Sequence, residues 1–196
     1  MWLGNIVCRE GLLVEFVNIA LILCLPPQTN VNMLWATLGH TGYYHNFIKG
    51  YVAITAPMEK LLKKDAAYEW TQECKGIFDT LKAKMASAPI LAFPYWNKEF
   101  HVHINTSSIA LGVILAQQGK GDLDHWIAYA SRKLSFDEWN YTTMKREGLA
   151  MVYALQKFWH YLLGSHFKMF TDHSALQYLV NKPVLGGKIC RWLLLF

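Results

Sequence analysis

The chain has 196 residues, 53% of them apolar and 17% charged, with a net charge of +5; that suits one ordinary domain, or a small one with an extension, and excludes wholesale disorder. Its cysteines, Cys8, Cys24, Cys74 and Cys190, lie far apart without CxxC spacing, which excludes a disulfide framework and reads as reduced intracellular thiols. The longest apolar run, Val17 to Leu25, is about half a bilayer span and is preceded by Arg9 and Glu10, so neither a transmembrane helix nor a signal peptide is expected.

The chain opens on a hairpin pattern, Leu3 to Val7 and Leu12 to Val14, with the turn at Gly11. Phe16 to Leu25 predicts a helix stopped by Pro26 and Pro27. Asn30 suits the N-cap of a helix running to Gly39. Tyr43, Tyr44, Phe47 and Ile48, after Gly42, predict a short aromatic helix. Pro57 is expected in the first turn of the next helix, with Met58, Leu61 and Leu62 inward and Lys60, Lys63 and Lys64 outward. Thr71 predicts the cap of a longer helix with Ile77, Leu81 and Met85 on one face, ending near Pro89.

From Phe93 the period changes. Phe100, Val102 and Ile104 alternate with His101, His103 and Asn105, which is strand spacing. Ile109 to Gln117 and Trp126 to Ser131 predict two more strands around a polar turn at residues 119–122, giving an antiparallel meander. A helix is expected from Thr143 to Leu163, ended by Gly164, then a strand from His166 to Thr171 and a short helix from Ser174 to Val180. Asp122 and Asp124 read as loop residues. The expected fold class is α/β: three antiparallel strands, a helix, a parallel fourth strand and a helix, preceded by a small helical connector and the hairpin. The expected divisions are 1–28, 29–92 and 93–196.

Charge is uneven. Residues 100–196 carry ten Lys/Arg against six Asp/Glu, and residues 1–99 nine against eight, so an anionic partner suits the second half. Asn105 in the first strand of the meander, Glu147 near the start of the long helix and Asp172 at the end of the fourth strand are expected to converge at one end of the sheet. Carboxylates gathered there suit hard divalent cations such as Mg²⁺. Two such ions about 4 Å apart support phosphodiester hydrolysis. The bland roles of Glu147 and Asp172 are a helix N-terminal acid and a strand-end cap.

Many spaced blocks carry a resemblance along nearly the whole chain: Leu3 to Val7 with Glu10-Gly11-Leu12, Leu38 to Tyr44 with Phe47 to Gly50, Pro57 with Leu61 to Lys64, Trp70-Thr71, and Ala88 to Leu91. They continue with Ala130 to Ser135, Asn140-Tyr141, Glu147, His160 to Gly164 and Phe170 to His173. In this order they resemble the C-terminal part of the reverse transcriptase of gypsy-class LTR retrotransposons, in a plant-type pol polyprotein. The resemblance implies the end of the palm, the thumb and connector, and an RNase H-like domain that is truncated and degenerate. It implies hydrolysis of the RNA strand of RNA–DNA hybrids by two Mg²⁺, one activating water and the other stabilising the leaving 3′ oxygen. Glu147 and Asp172 match the family's metal ligands, while Asn105 stands where the family has an aspartate, so the nuclease is expected to be impaired. No adjacent Asp-Asp pair occurs, and no polymerase site is expected.

The family continues beyond Phe196 into a further strand and helix, which predicts a weakened fold for the chain as given. Trp35, Trp159 and His45 replace arginines and Met144 a threonine, changes that with Asn105 are each reachable by one transition, as in a decaying insertion. The implied partners are RNA–DNA hybrid or other nucleic acid and the remainder of the polyprotein, with no membrane. The implied place is the cytoplasm or nucleus, or a virus-like particle for the intact ancestor. The rival expectations are a catalytically silent nucleic-acid-binding remnant and a poorly folded fragment. Tyr43, Tyr44, Lys60, Lys63 and Lys64 are candidate nucleic-acid contacts through stacking and phosphate attraction; core packing and a solvated helix face are their alternatives. His101, His103 and His173 also suit zinc, although in the family such histidines belong to the strand pattern.

Overall fold

The computed structural model describes residues 4–64 and 66–171. The chain forms two compact units, one reaching residue 93 and including 128–130, the other comprising 94–127 and the chain from 131 onward.

In the first unit, β1 (Asn5–Val7) and β2 (Leu12–Val14) form the antiparallel hairpin. The outer edge of β2 is not left open: Leu12 and Leu91 exchange two backbone hydrogen bonds of 2.8 Å. Helix α1 (Phe16–Leu23) stops before the two prolines, and the Lys82 ammonium donates to the Leu23 and Leu25 carbonyls left open at that end. Helix α2 (Val31–Tyr43) is capped by Asn30, whose side chain accepts from the Met33 amide at 2.9 Å. It runs past Gly39, the expected end. The aromatic segment after it is a single 3₁₀ turn, His45–Phe47.

Helix α3 (Tyr51–Lys60) differs more from expectation, because Pro57 lies inside it and not in its first turn. Gly50, at φ +70°, turns the chain into the helix earlier, and its carbonyl accepts from the Ile54 amide. Helix α4 (Gln72–Ala86) is capped by Thr71 as expected; Cys74, Phe78, Leu81 and Met85 form its buried stripe, with Ile77 at the margin. Both α1 and α3 pack on α4. Leu34, Met58, Leu81 and Met85 are fully buried in this unit.

Apart from residues 128–130 in the middle of its edge strand, the second unit holds a four-stranded sheet. Strands β3 (Phe100–Thr106), β4 (Ala110–Gln118) and β5 (Asp124–Lys133) make the meander, and β6 (Phe167–Phe170) lies beside β3, giving the order β5-β4-β3-β6. The β3–β6 pair is parallel, with Phe100 opposite Phe167 and His103 opposite Phe170. The fold is therefore the expected α/β class, a mixed sheet with the first and fourth strands of the unit adjacent.

Three details depart from the sequence expectation. Strand β5 begins two residues earlier than Trp126, which makes Asp124 a strand residue. A short helix, α5 (Phe136–Trp139), follows it. The expected long helix is broken at the buried Phe158 into α6 (Thr143–Lys157) and α7 (Trp159–Leu162), with Gly164 at φ +75° just beyond. The Ser174–Val180 helix lies outside the described residues. Helix α6 packs across β3 and β4, where Ile104, Leu111, Leu134 and Ala150 form a closed cluster.

Helix α5 is held by a capping box between Ser135 and Glu138, and the Glu138 carboxylate also takes two hydrogen bonds from Arg132, at 2.8 and 2.9 Å. The Arg132 guanidinium is the main reason that this carboxyl titrates below its ordinary 4.5. A depressed folded-state value adds stability above the unfolded-state pKa, and that stability is lost as pH falls through the folded value. Glu138→Gln should therefore cost about 1 kcal/mol near neutrality, a modest figure because Arg132 is a third exposed. Urea melts should show that difference shrinking as pH drops below 4.5; a gap unchanged in acid would assign the loss to packing.

Candidate active site

Glu147 is the fifth residue of α6 and is buried, with 3% of its surface exposed. A buried carboxylate needs donors for its lone pairs. Here the Thr106 hydroxyl donates to Oε1 at 2.6 Å and the Thr171 hydroxyl to Oε2 at 2.9 Å. Thr106 ends β3 and Thr171 follows β6, so one carboxylate ties together the ends of two parallel strands and the start of the helix lying over them. Beside it Arg146 donates to the Ser107 carbonyl at 3.0 Å, while its buried Nε finds no hydrogen-bond partner among the described residues.

Strand alternation separates Asn105 from this arrangement. Phe100, Val102, Ile104 and Thr106 share the face covered by α6, whereas His101, His103 and Asn105 point to the other. Asn105 is exposed and lies opposite Gly112 of β4. The structure thus joins Glu147 to the threonine after Asn105 and to the threonine before Asp172. Asp172 itself lies outside the described residues, as does His173. Among the described residues no group of three or more His, Cys, Asp or Glu side chains could hold a metal ion.

The other face carries a cluster that sequence reasoning missed. Asp124 lies between two histidines, with its Oδ1 2.7 Å from His101 Nδ1 and its Oδ2 2.5 Å from His103 Nε2. His103 stacks on Phe170 with ring centroids 4.9 Å apart, and Trp126 meets it edge-on at 5.6 Å. The two imidazoles therefore converge on a carboxylate, not on a metal. The signal available was the His101/His103 alternation; its partner could not be found without knowing that β5 lies one strand beyond β4.

The candidate contacts of the first unit separate by burial. Tyr44 is buried and its hydroxyl donates to the Gly4 carbonyl at 3.4 Å; removal from water, with Tyr43 and Glu15 nearby, pushes its phenol upward. Tyr43 is half exposed and meets Tyr44 edge-on at 5.0 Å. Lys60, Lys63 and Lys64 are all exposed. Lys63 lines an open cavity of about 340 Å³ with Trp35, Leu38, Gly39, Glu59 and Leu62.

With this geometry in hand, comparison with known proteins decides the family. The model of the RNase H-like domain found in reverse transcriptase matches residues 70–169. The chain belongs to that family. The chain is 38% identical over 97% of its length to the retrovirus-related Pol polyprotein from transposon 297 of Drosophila melanogaster, and 32% identical over 97% to that from transposon gypsy. It spans about a fifth of these relatives, 18% and 19% of their lengths. Among solved structures it is similar to the foamy viral protease-reverse transcriptase in complex with dsDNA. The TM-score is 0.82 at 20% identity, over 100% of this chain and 42% of that one. The same viral protein in complex with RNA/DNA hybrid gives 0.76 at 21% identity, over 98% and 27%. These likenesses carry the fold of the RNase H-like domain.

No helix among the described residues is long and apolar enough to cross a membrane. Cys8, Cys24 and Cys74 are free thiols.

Proposed function

We propose that this RNase H-like domain descends from the pol polyprotein of a gypsy-class, plant-type LTR retrotransposon, that it binds RNA–DNA hybrids, and that its ability to cut their RNA strand is impaired. The observation that carries the reading is the surroundings of Glu147: both of its oxygens accept threonine hydroxyls, and the residue before Thr106 is a neutral, exposed asparagine. By the family resemblance the ancestral Mg²⁺ ligands are Glu147, Asp172 and an aspartate at position 105; Asn105 stands at the same end of β3 but one alternation away from the Glu147 face, so restoring the site needs that strand end to turn position 105 toward the helix. Replacing that aspartate with Asn105 removes one negative charge from a site meant to neutralise two dications, so Mg²⁺ binding is weakened. The remainder of the polyprotein is the expected partner, and the cytoplasm or nucleus the expected place.

The test is Mg²⁺-dependent cleavage of a labelled RNA–DNA hybrid. We expect little or no product from the unaltered chain, and at least a tenfold gain from Asn105→Asp. The gain should disappear in Asn105→Asp combined with Glu147→Gln. Robust cleavage by the unaltered chain would overturn the impairment, and cleavage indifferent to Glu147 would overturn its assignment to the site.

A second reading, a silent nucleic-acid-binding remnant, is favoured by the positive balance of the second half. It predicts salt-dependent hybrid affinity with no product from either chain.

A further inference from the structure

At the other end of β3, about 20 Å from Thr106 by strand rise, the structure presents an exposed aromatic pair on a rigid turn. Tyr95 is 66% exposed and Trp96 59%. The turn closes through the Lys98 amide, which donates to the Tyr95 carbonyl at 2.9 Å. It is fixed from beneath by Gln117 of β4, a buried side chain whose hydrogen-bonding capacity is spent here. Gln117 Oε1 accepts from the Tyr95 amide at 2.8 Å, and Nε2 donates to the Tyr95 and Lys98 carbonyls at 2.9 and 3.0 Å. Nothing in the closing of a strand turn requires two large rings to stand in water. Their exposure leaves apolar faces open while the turn that carries them is held by hydrogen bonds at both Tyr95 and Lys98.

The rings are also ordered against one another. Trp96 stacks on Tyr161 with 14° between the planes and 6.0 Å between centroids, and both rest on the buried Phe100. Lys98 Nζ lies 5.5 Å from the Tyr95 ring and donates to the Gln118 carbonyl. The neighbouring carboxylate does not cancel this cation, because Glu99 pairs with Lys168 at 2.7 Å and is held below the ordinary carboxylate range chiefly by that hydrogen bond. Flat apolar faces, a preorganised backbone and an adjacent cation are the components of a base-stacking site: the rings take the base and the ammonium takes a phosphate.

We propose that Tyr95, Trp96 and Lys98 form a binding site for an unpaired nucleotide of a single strand, separate from the Glu147 end of the sheet. The choice of nucleic acid as the ligand rests on the function proposed above. The test is fluorescence anisotropy of labelled oligothymidylate on the full chain. A second probe is an abasic phosphodiester oligomer of equal length, and hybrid binding is measured in parallel. Trp96→Ala and Tyr95→Ala should each weaken oligothymidylate binding by at least about fivefold, the low end of one lost base stack. Trp96→Phe should retain most of it, and neither alanine variant should alter binding of the abasic strand.

Oligothymidylate affinity unchanged in both alanine variants would overturn the proposal, as would an abasic strand bound as tightly as the oligothymidylate. If hybrid still binds in those cases, the reading of the Glu147 end stands. Failure of the unaltered chain to bind either nucleic acid overturns both. Thermal melts of each variant, with Trp96→Phe as the packing control, separate a lost stack from a lost fold.

Discussion

Gly11→Ala is expected to destabilise the first unit by roughly 3 kcal/mol. Gly11 has φ +149°, a conformation that side chains rarely adopt, and holding a non-glycine residue there costs about 1–3 kcal/mol. Space is the sharper constraint. A Cβ at this position would stand 2.0 Å from the Leu91 carbonyl oxygen and 2.8 Å from its carbon, both of them backbone atoms that no rotamer change can move. Relief requires Leu91 to withdraw, which breaks the paired bonds between Leu12 and Leu91, each worth about 1 kcal/mol net. Amide hydrogen exchange at Leu12 and Leu91 should accelerate together, with an earlier urea transition of the first unit. Gly50→Ala is the comparison: its φ is +70° but a Cβ there meets nothing within 4 Å, so only the conformational cost applies. Equal losses in the two variants would mean that the Leu91 contact contributes nothing.

Elements set by local chemistry were legible in the sequence. Asn30 and Thr71 accept the amides that their positions promised, and the alternation of Phe100, Val102 and Ile104 is the buried face of β3. The parallel placement of the last strand beside the first followed from connection rules and holds in the β3–β6 register. Even α5 has a local signal, since Ser135 and Glu138 stand at capping-box spacing. Pro57 misled because proline prefers a first turn, while the actual start is set by Gly50, seven positions before it. Asp124 misled because a polar residue after a glycine turn reads as loop. Its role depends on His101 and His103 reaching it from β3 across β4, a relation of sheet order that no local pattern contains. The candidate site divided in the same way. Glu147 was legible as a helix acid, but Thr106 and Thr171 gain meaning only when two parallel strands end beside the same helix.

Phe100→Ala is expected to cost the second unit about 3–5 kcal/mol, the range for removing a fully buried phenylalanine. Phe100 has no exposed surface and opens β3, where it pairs with Gln117 on one side and Phe167 on the other. Its amide joins the parallel pairing by donating to the His166 carbonyl at 2.9 Å. The ring therefore sits where the meander, the returning β6 and the Trp96–Tyr161 stack meet, and truncation leaves a cavity that paired strands on both sides cannot close. Phe100→Leu should lose markedly less, because most of the volume remains. Urea denaturation followed by tryptophan fluorescence measures both variants. The alanine variant should also weaken oligothymidylate binding without altering Trp96 itself, since the stack loses the floor on which it rests. A Phe100→Ala chain that melted within about 1 kcal/mol of the unaltered chain would show that this end of the sheet relaxes around the lost ring, and the rigid turn argued for Tyr95 and Trp96 would lose its foundation.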